Sequence, residues 1–487
     1  MTRLRSVPRA VAGCMAVLCL VVLAGCSAFA KGAVPGESGF DGAVTVVSEQ
    51  ADGAYGVVTV RVPYLGIRGD AKTGLARVVF HRSAVLPGAR TPAFCHVHYE
   101  KDVGGAKHWA ERGWVVFSAA YTGADGESPI DAAVGNGNNL ARAIVEWARR
   151  VPFVDRSRLH IDGGSQGGYM ALEMSAEMFP VTSTTADVPV VNWDYNLNYI
   201  MKNGALAGYP DRPAVLAGPM PVLGSVAELA DMSFKYFTKD FADETWYRLS
   251  PVSYTARIAN PVMVACATGD MLVPMEAMTR TTLRPVDPAK FPAGYTRDFD
   301  TLTPNGAARK VFEDALPKDQ VFTHVQPKQE NSYIVTGEMV LDPKKQPKEK
   351  PENLDRPFSK DRQWNLFYMD EGPAEPFAGH STWCWSTSPD KFVEYYQNAK
   401  PAVSILNAAK MRRVMERHAG RLSELPMLGD GTPANRLNYA NLEQRDVETA
   451  LRDYASLGPE YAANLAALYA ACPVKPFGAT LPAPMLP

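Results

Sequence analysis

Ile161-Asp162-Gly163-Gly164-Ser165-Gln166-Gly167-Gly168-Tyr169-Met170 is the stretch that most narrows what this chain can fold into. It reads as a strand, a five-residue Gly-x-Ser-x-Gly turn, and a helix. A strand-to-helix reversal this sharp crowds the backbone around Ser165, and side chains at Gly163 and Gly167 would clash with the neighbouring strand and helix. The flanks agree with the turn. Arg158-Leu159-His160-Ile161 is a short strand, and Met170, Met174 and Met178 recur every four residues along one helix face. The serine is lifted above a sheet edge.

The rest of the chain has the rhythm of a mostly parallel, doubly wound α/β sheet. Residues 43–64 and 75–82 alternate and carry β-branched residues, as antiparallel opening strands do. Ala93 to His98 is a further strand, Gly104 to Arg112 a helical crossover, and Gly113 to Ser118 a buried strand. Leu140, Ile144, Trp147, Ala148 and Val151 mark a helix packed on that sheet. Ala186 to Val191 reads as the strand after the turn, Pro261 to Cys266 as the next, and Trp364 to Tyr368 as the last. Strand and helix in alternation call for parallel pairing with right-handed crossovers. A final helix carries Phe392, Tyr396, Ala399 and Val403 on one face.

A serine needs a base, and the base needs a carboxylate to orient it. Asp270 lies just past the strand Val262 to Cys266, in Thr268-Gly269-Asp270-Met271-Leu272-Val273-Pro274. That is the C-terminal sheet edge, where Ser165 also emerges. Asp287, Asp298 and Asp300 are alternative acids. Three histidines follow Asp270. His324 falls in an expected hairpin (Val321 to Val325 with Ser332 to Val340), and His418 in the Arg-rich end of the final helix. His380 follows the last strand in a Gly/Pro-containing loop, where a base must lie to reach Ser165.

At these residues a resemblance becomes definite. Gly163 to Tyr169, Leu249-Ser250-Pro251 leading into Ile258 to Pro274, and Gly379-His380 are similar to the catalytic domain of the prolyl oligopeptidase family. Related acyl and acetyl xylan esterases share the pattern, and all are α/β-hydrolases, with triad members in the order serine, acid, histidine. The similarity covers about residues 75–200, 248–280 and 364–400. It implies an α/β-hydrolase fold with Ser165 as nucleophile, Asp270 as acid and His380 as base. It implies an oxyanion hole from the N–H of Gln166 and a donor after the strand 93–98. There, His98-Tyr99-Glu100-Lys101-Asp102 resembles the Pro-Tyr-Asp-Lys turn of bacterial acyl esterases and X-prolyl dipeptidyl peptidases, whose tyrosine completes the hole. Tyr99 is the corresponding donor, with His98 in place of proline.

The N-terminus carries Arg3, Arg5 and Arg9, then an apolar run from Val11 to Leu23 that is short for a bilayer span. It ends in Leu23-Ala24-Gly25-Cys26, similar to a bacterial lipobox, so residues 1–25 are expected to be a signal peptide and Cys26 the lipidated residue. The alternative is an ordinary secretory signal with an incidental cysteine. Residues 26–39 would be a tether, giving an exported lipoprotein held at the extracytoplasmic membrane surface. The expected organisation then runs through a hydrolase core (40–192), a cap rich in aromatics (193–250), core again (251–283), an insertion between acid and histidine (284–361), the last core segment (362–420) and a helical extension (421–487).

A formal net charge of −2 gives no electrostatic case for nucleic acid. Cys95 and Cys266 sit in apolar strand-like runs and read as buried small residues, while Cys384 and Cys472 could pair in an oxidising compartment. His96 and His98 would share a strand face, but no further ligands cluster with them, so neither metal nor other cofactor is expected. No blade-like repeat precedes the serine turn, and roughly 140 mature residues leave no room for a propeller. The substrate expected is a small ester or a short peptide. An esterase, an exopeptidase and a catalytically silent binding lipoprotein remain the three readings.

Overall fold

The computed structural model describes residues 44–120 (except 69, 87, 98 and 99), 135–204 (except 150 and 178–180), and 237–279 (except 239, 241, 242, 256, 257, 259, 268, 269 and 271). It also describes residues 294–316 (except 304–308), 321–326, 334–335, 340–341, 362–369, 380 and 388–398. In chain order the strands are β1 (Thr45–Asp52), β2 (Tyr55–Leu65), β3 (Ala71–His81), β4 (Thr91–His96), β5 (Val115–Ala119) and β6 (Val154–Gly164). They continue as β7 (Ser183–Asp187), β8 (Val262–Ala267), β9 (Val321–Gln326), β10 (Ile334–Val335), β11 (Val340–Leu341) and β12 (Trp364–Met369). Ten of them form one sheet in the order β1-β2-β3-β5-β4-β6-β7-β8-β12-β9. β1, β2, β3 and β5 pair antiparallel in turn, and every pairing from β5 onward is parallel.

Parallel neighbours need crossovers, and helices supply them. α1 (Val103–Glu111) joins β4 to β5, α2 (Asn136–Ala148) leads into β6, and α3 (Gln166–Glu177) joins β6 to β7. α4 (Trp193–Gly204), α5 (Glu244–Leu249) and α6 (Pro251–Tyr254) lie between β7 and β8. The short α7 (Phe299–Leu302) and α8 (Phe312–Ala315) precede β9, and α9 (Ser388–Asn398) follows β12. Among the described residues, no helix is long and apolar enough to cross a membrane.

Both faces of the sheet are covered. On one, α1 and α9 bring Trp109, Phe392, Val393 and Tyr396 onto Phe94, Trp114, Val116 and Met263. Phe94 stacks on Trp109 at 4.6 Å and meets Trp114 edge-on at 6.0 Å. A His108–Asp390 hydrogen bond and an Arg112–Glu394 ion pair join the two helices at their rims. On the other face, Leu140, Ile144 and Trp147 of α2 and Met170 and Met174 of α3 pack in one cluster with Leu159 and Ile161 of β6. Burying one tryptophan removes roughly 150–250 Å² of surface, worth about 4–6 kcal/mol before entropy.

Two expectations are corrected. The strand after the serine turn is Ser183–Asp187, not Ala186–Val191. Its hydroxyls look unsuited to a core, but each finds a buried partner. Ser183 bonds His160, Thr185 bonds Asp162, and Thr184 bonds Ser175 and Asn260. Val188 then turns away with φ 41°. The second correction concerns the insertion. Among the described residues Val321–Gln326 is not an arm of a hairpin; it pairs parallel to β12 at the edge of the main sheet. Among the described residues β10 and β11 pair with each other, and Trp364–Met369 lies between β8 and β9 as an interior strand.

Cys95 and Cys266 are buried free thiols, and burial raises both above their ordinary pKa. Cys26, Cys384, Cys472, Met178, Ala399 and Val403 lie outside the described residues.

Candidate active site

β6 ends at Gly164 and α3 begins at Gln166, so Ser165 alone makes the reversal, with φ 55°. That left-handed conformation is uncommon outside glycine. Its neighbours explain how it is held. The Ser165 N–H donates to the Asp187 carbonyl on β7 at 2.8 Å, and the Ser165 carbonyl accepts the N–H of Tyr169 in α3. A Cβ on Gly163 would lie 2.3 Å from the Gly167 carbonyl oxygen and 2.4 Å from that of Val97, both backbone atoms. One on Gly168 would lie 2.9 Å from the Asp187 carbonyl oxygen. The glycines let three chain segments close on the serine.

Asp270 follows β8 and is fully buried; its Oδ1 accepts the N–H groups of Leu272 and Val273 at 2.8 and 3.0 Å. His380, in the connection between β12 and α9, sets Nδ1 3.1 and 3.0 Å from the two Asp270 oxygens. Its Nε2 is 3.0 Å from Ser165 Oγ. A carboxylate only accepts, so Nδ1 carries the proton and the Nε2 lone pair faces the serine hydroxyl. Burial alone would lower the His380 pKa, but the charge and hydrogen bond of Asp270, with Asp187 adding, raise it above its ordinary value.

The described alternatives, Asp298, Asp300 and His324, fall elsewhere. Asp298 caps α7 through the N–H of Asp300, and His324 lies on β9, paired in register with Phe367. Asp287 and His418 are outside the described residues, as are His98 and Tyr99. Gln166 is buried and opens α3, immediately after Ser165. The Ser165 N–H, committed to Asp187, is not available as an oxyanion donor.

The sequence reading singled out neither Asp187 nor Asp162. Asp162 is a buried carboxylate that accepts from His96 Nδ1 at 2.7 Å and Thr185 Oγ1 at 2.6 Å, with Lys101 at 3.9 Å. Burial acts to raise its pKa, yet His96 and Lys101 hold it well below the usual carboxylate range. His160 beside it is lowered to about 4 by burial. His96 is thus tied to a carboxylate, and among the described residues no cluster of three or more such side chains could hold a metal. The Asp162 carbonyl also accepts the Val97 N–H at 2.8 Å, joining β6 to the residue that follows β4.

Without β1 and β9, the strand order runs through an antiparallel opening, one parallel crossover exchange and a parallel remainder, with the serine elbow after its fifth strand. This is the α/β-hydrolase fold. No protein-family model matches the chain, and no curated protein matches it. Among solved structures it is similar to acetyl xylan esterase 1 from a Thermoanaerobacterium species, at 18% identity and TM-score 0.33, over 50% of this chain and 78% of that one. An acetyl xylan esterase from a Paenibacillus species gives 15% identity and TM-score 0.32, over 47% and 74%. The acylaminoacyl peptidase of Pyrococcus horikoshii gives 12% and 0.31, over 48% of this chain and 42% of the peptidase. At TM-scores this low, the fold is read from the strand order and the elbow instead.

Proposed function

We propose that this chain is a serine hydrolase that cleaves carboxylic esters through an acyl-enzyme on Ser165. The observation that carries the reading is the unbroken line from the Asp270 carboxylate through His380 to Ser165 Oγ, at 3.0–3.1 Å and 3.0 Å. His380 Nε2 takes the serine proton as Oγ attacks the acyl carbon, and Asp270 stabilises the imidazolium that forms. The same imidazolium protonates the leaving group, and His380 then activates water for deacylation. The Gln166 N–H and Tyr99 are our assignments for the oxyanion donors. No cofactor enters these steps.

Ester over peptide is favoured by a compact catalytic domain followed by an aromatic-rich segment, which suits an apolar or sugar-ester acyl pocket. Tyr195, Tyr199 and Trp246 of that segment are buried in the core cluster. We further propose that Cys26 is lipidated and anchors the enzyme outside the cytoplasmic membrane. Short-chain nitrophenyl esters should be hydrolysed with higher kcat/KM than aminoacyl or dipeptidyl anilides, after correction for the uncatalysed rates. Equal turnover of a dipeptidyl anilide would favour an exopeptidase. Failure of a fluorophosphonate to label Ser165 would leave a silent, ligand-binding hydrolase fold.

A further inference from the structure

Asp162 lies on β6, three residues before Ser165, and is buried. Its Oδ2 accepts from His96 Nδ1 at 2.7 Å and its Oδ1 from Thr185 Oγ1 at 2.6 Å. Lys101 Nζ lies 3.9 Å from Oδ2 and 5.5 Å from the centroid of the Phe94 ring. These partners come from three places in the chain: the end of β4, the residue before the cap of α1, and β7. Although burial acts to raise its pKa, the His96 hydrogen bond and the Lys101 charge keep the carboxyl ionised.

The main chain repeats the connection. The Val97 N–H donates to the Asp162 carbonyl at 2.8 Å, and the Val97 carbonyl oxygen lies so near β6 that a Cβ on Gly163 would come within 2.4 Å of it. Toward α1, Glu100 pairs with Arg77 of β3, and Asp102 Oδ1 caps the helix through the Gly105 N–H at 2.8 Å. The chain leaving β4 is thus tied at His96 and again at Lys101, and Asp162 is the side chain both ties share. Stability alone does not call for a charge here, since buried ion pairs are often replaced by apolar side chains without loss. What a buried carboxylate supplies is direction, because each partner must meet it at one distance and angle.

We propose that Asp162 is a positioning residue, which clamps the connection from β4 to α1 at His96 and at Lys101 and so sets its place beside the turn that carries Ser165. The effect on rate rests on the serine-hydrolase reading; the clamp itself does not. An oxyanion donor must come within about 2.7–3.1 Å of the oxygen that gains charge, so a displaced connection costs rate rather than binding.

Asp162→Asn keeps the shape of the side chain, but turns one acceptor into an amide that only donates and removes the charge facing Lys101. Amide hydrogen exchange should quicken by about tenfold or more in the peptide holding Val97 and Lys101, and keep its wild-type rate in β1 and β2. Exchange that is unchanged, or raised equally in both regions, overturns the clamp. The second measurement is kcat on one nitrophenyl ester, expressed per site labelled at end point by a fluorophosphonate, so that misfolded protein is not counted. It should fall by about tenfold or more with KM within about twofold of wild type. A wild-type kcat per labelled site, or a loss confined to KM, overturns the positioning role. His96→Gln, whose amide still donates to the carboxylate, should retain most of the kcat that His96→Leu loses; equal losses overturn it. If Asp162→Asn does not fold, the two His96 variants are carried through both measurements with the same criteria. A wild type that neither labels nor cleaves the ester would sink the hydrolase reading, and the exchange comparison would still decide the clamp.

Discussion

The backbone N–H of Ser165 points at the carbonyl of Asp187, 2.8 Å away on the neighbouring strand. This bond pins a residue in the left-handed region to β7, and the same aspartate helps raise the pKa of His380, whose Nε2 faces the serine. One residue thus acts on Ser165 through its main chain and on His380 through its charge. The consequences are open to measurement.

His380 must be neutral to accept a proton, and its pKa is raised by Asp270. The acidic limb of kcat/KM should therefore lie above the ordinary histidine range. Asp270→Asn should lower kcat by about 10⁴, because the amide no longer selects the tautomer. The limb should move to lower pH, because the charge that raised it is gone. Stability follows the same sign. The His380–Asp270 contribution is full below the unfolded histidine pKa and is lost as pH rises through the folded value. Rate profiles and thermal melts across pH of both proteins check this.

If the Tyr99 hydroxyl meets the oxyanion, Tyr99→Phe should lower kcat by about 10²–10³ with KM little changed. Steady-state kinetics on one ester decides it. Unchanged kinetics would move the second donor to a backbone amide of the same loop.

Gly163→Ala should destabilise the protein by about 3 kcal/mol or more, since the added methyl meets two backbone carbonyls that cannot swing aside. Chemical denaturation is the measurement. Gly164→Ala is the control, since its added atom comes no nearer than 3.8 Å to a neighbour.

Asp194, buried in the first turn of α4 with neither carboxylate oxygen hydrogen-bonded, holds its proton up to about 7, through burial and then the charge of Asp240. The unfolded carboxyl releases it near about 4, so the folded state binds more protons in between. Stability should fall as pH rises through that window, by up to a few kcal/mol. Asp194→Asn does not titrate, so its melting temperature should gain on the wild type between pH 4 and pH 8. Parallel melting curves would refute the buried, unpaired state.

The elbow and the Ser165, His380 and Asp270 arrangement were readable because they are local or ordered. Glycine around a serine states its own steric reason, and acid and histidine follow in sequence at the ends of apolar runs. β7 was not readable in place. Ser183-Thr184-Thr185 looks like a loop until His160, Asp162, Ser175 and Asn260, none of them adjacent in sequence, are seen around it. The apolar run Val188-Pro189-Val190-Val191 drew the expectation forward, although Val188 already leaves the sheet. Asp162, Asp187 and Asp194 carry no local signal at all. Their character comes from burial, which only tertiary packing creates. Nor does any pattern in Val321–Gln326 say which strand it will join.

That strand has a consequence for the molecule in crowded solution. Trp-Asn-Leu-Phe-Tyr-Met at β12 is an uncharged run rich in aromatics, and an open edge of that composition would offer a template to another chain. With β9 hydrogen-bonded along its full length, every residue from Trp364 to Met369 already has a partner on both sides. The segment between acid and histidine therefore supplies the strand that moves β12 from the edge of the sheet to its interior. Trimming it away would leave the backbone groups of Trp364 to Met369 on that side without their strand partner.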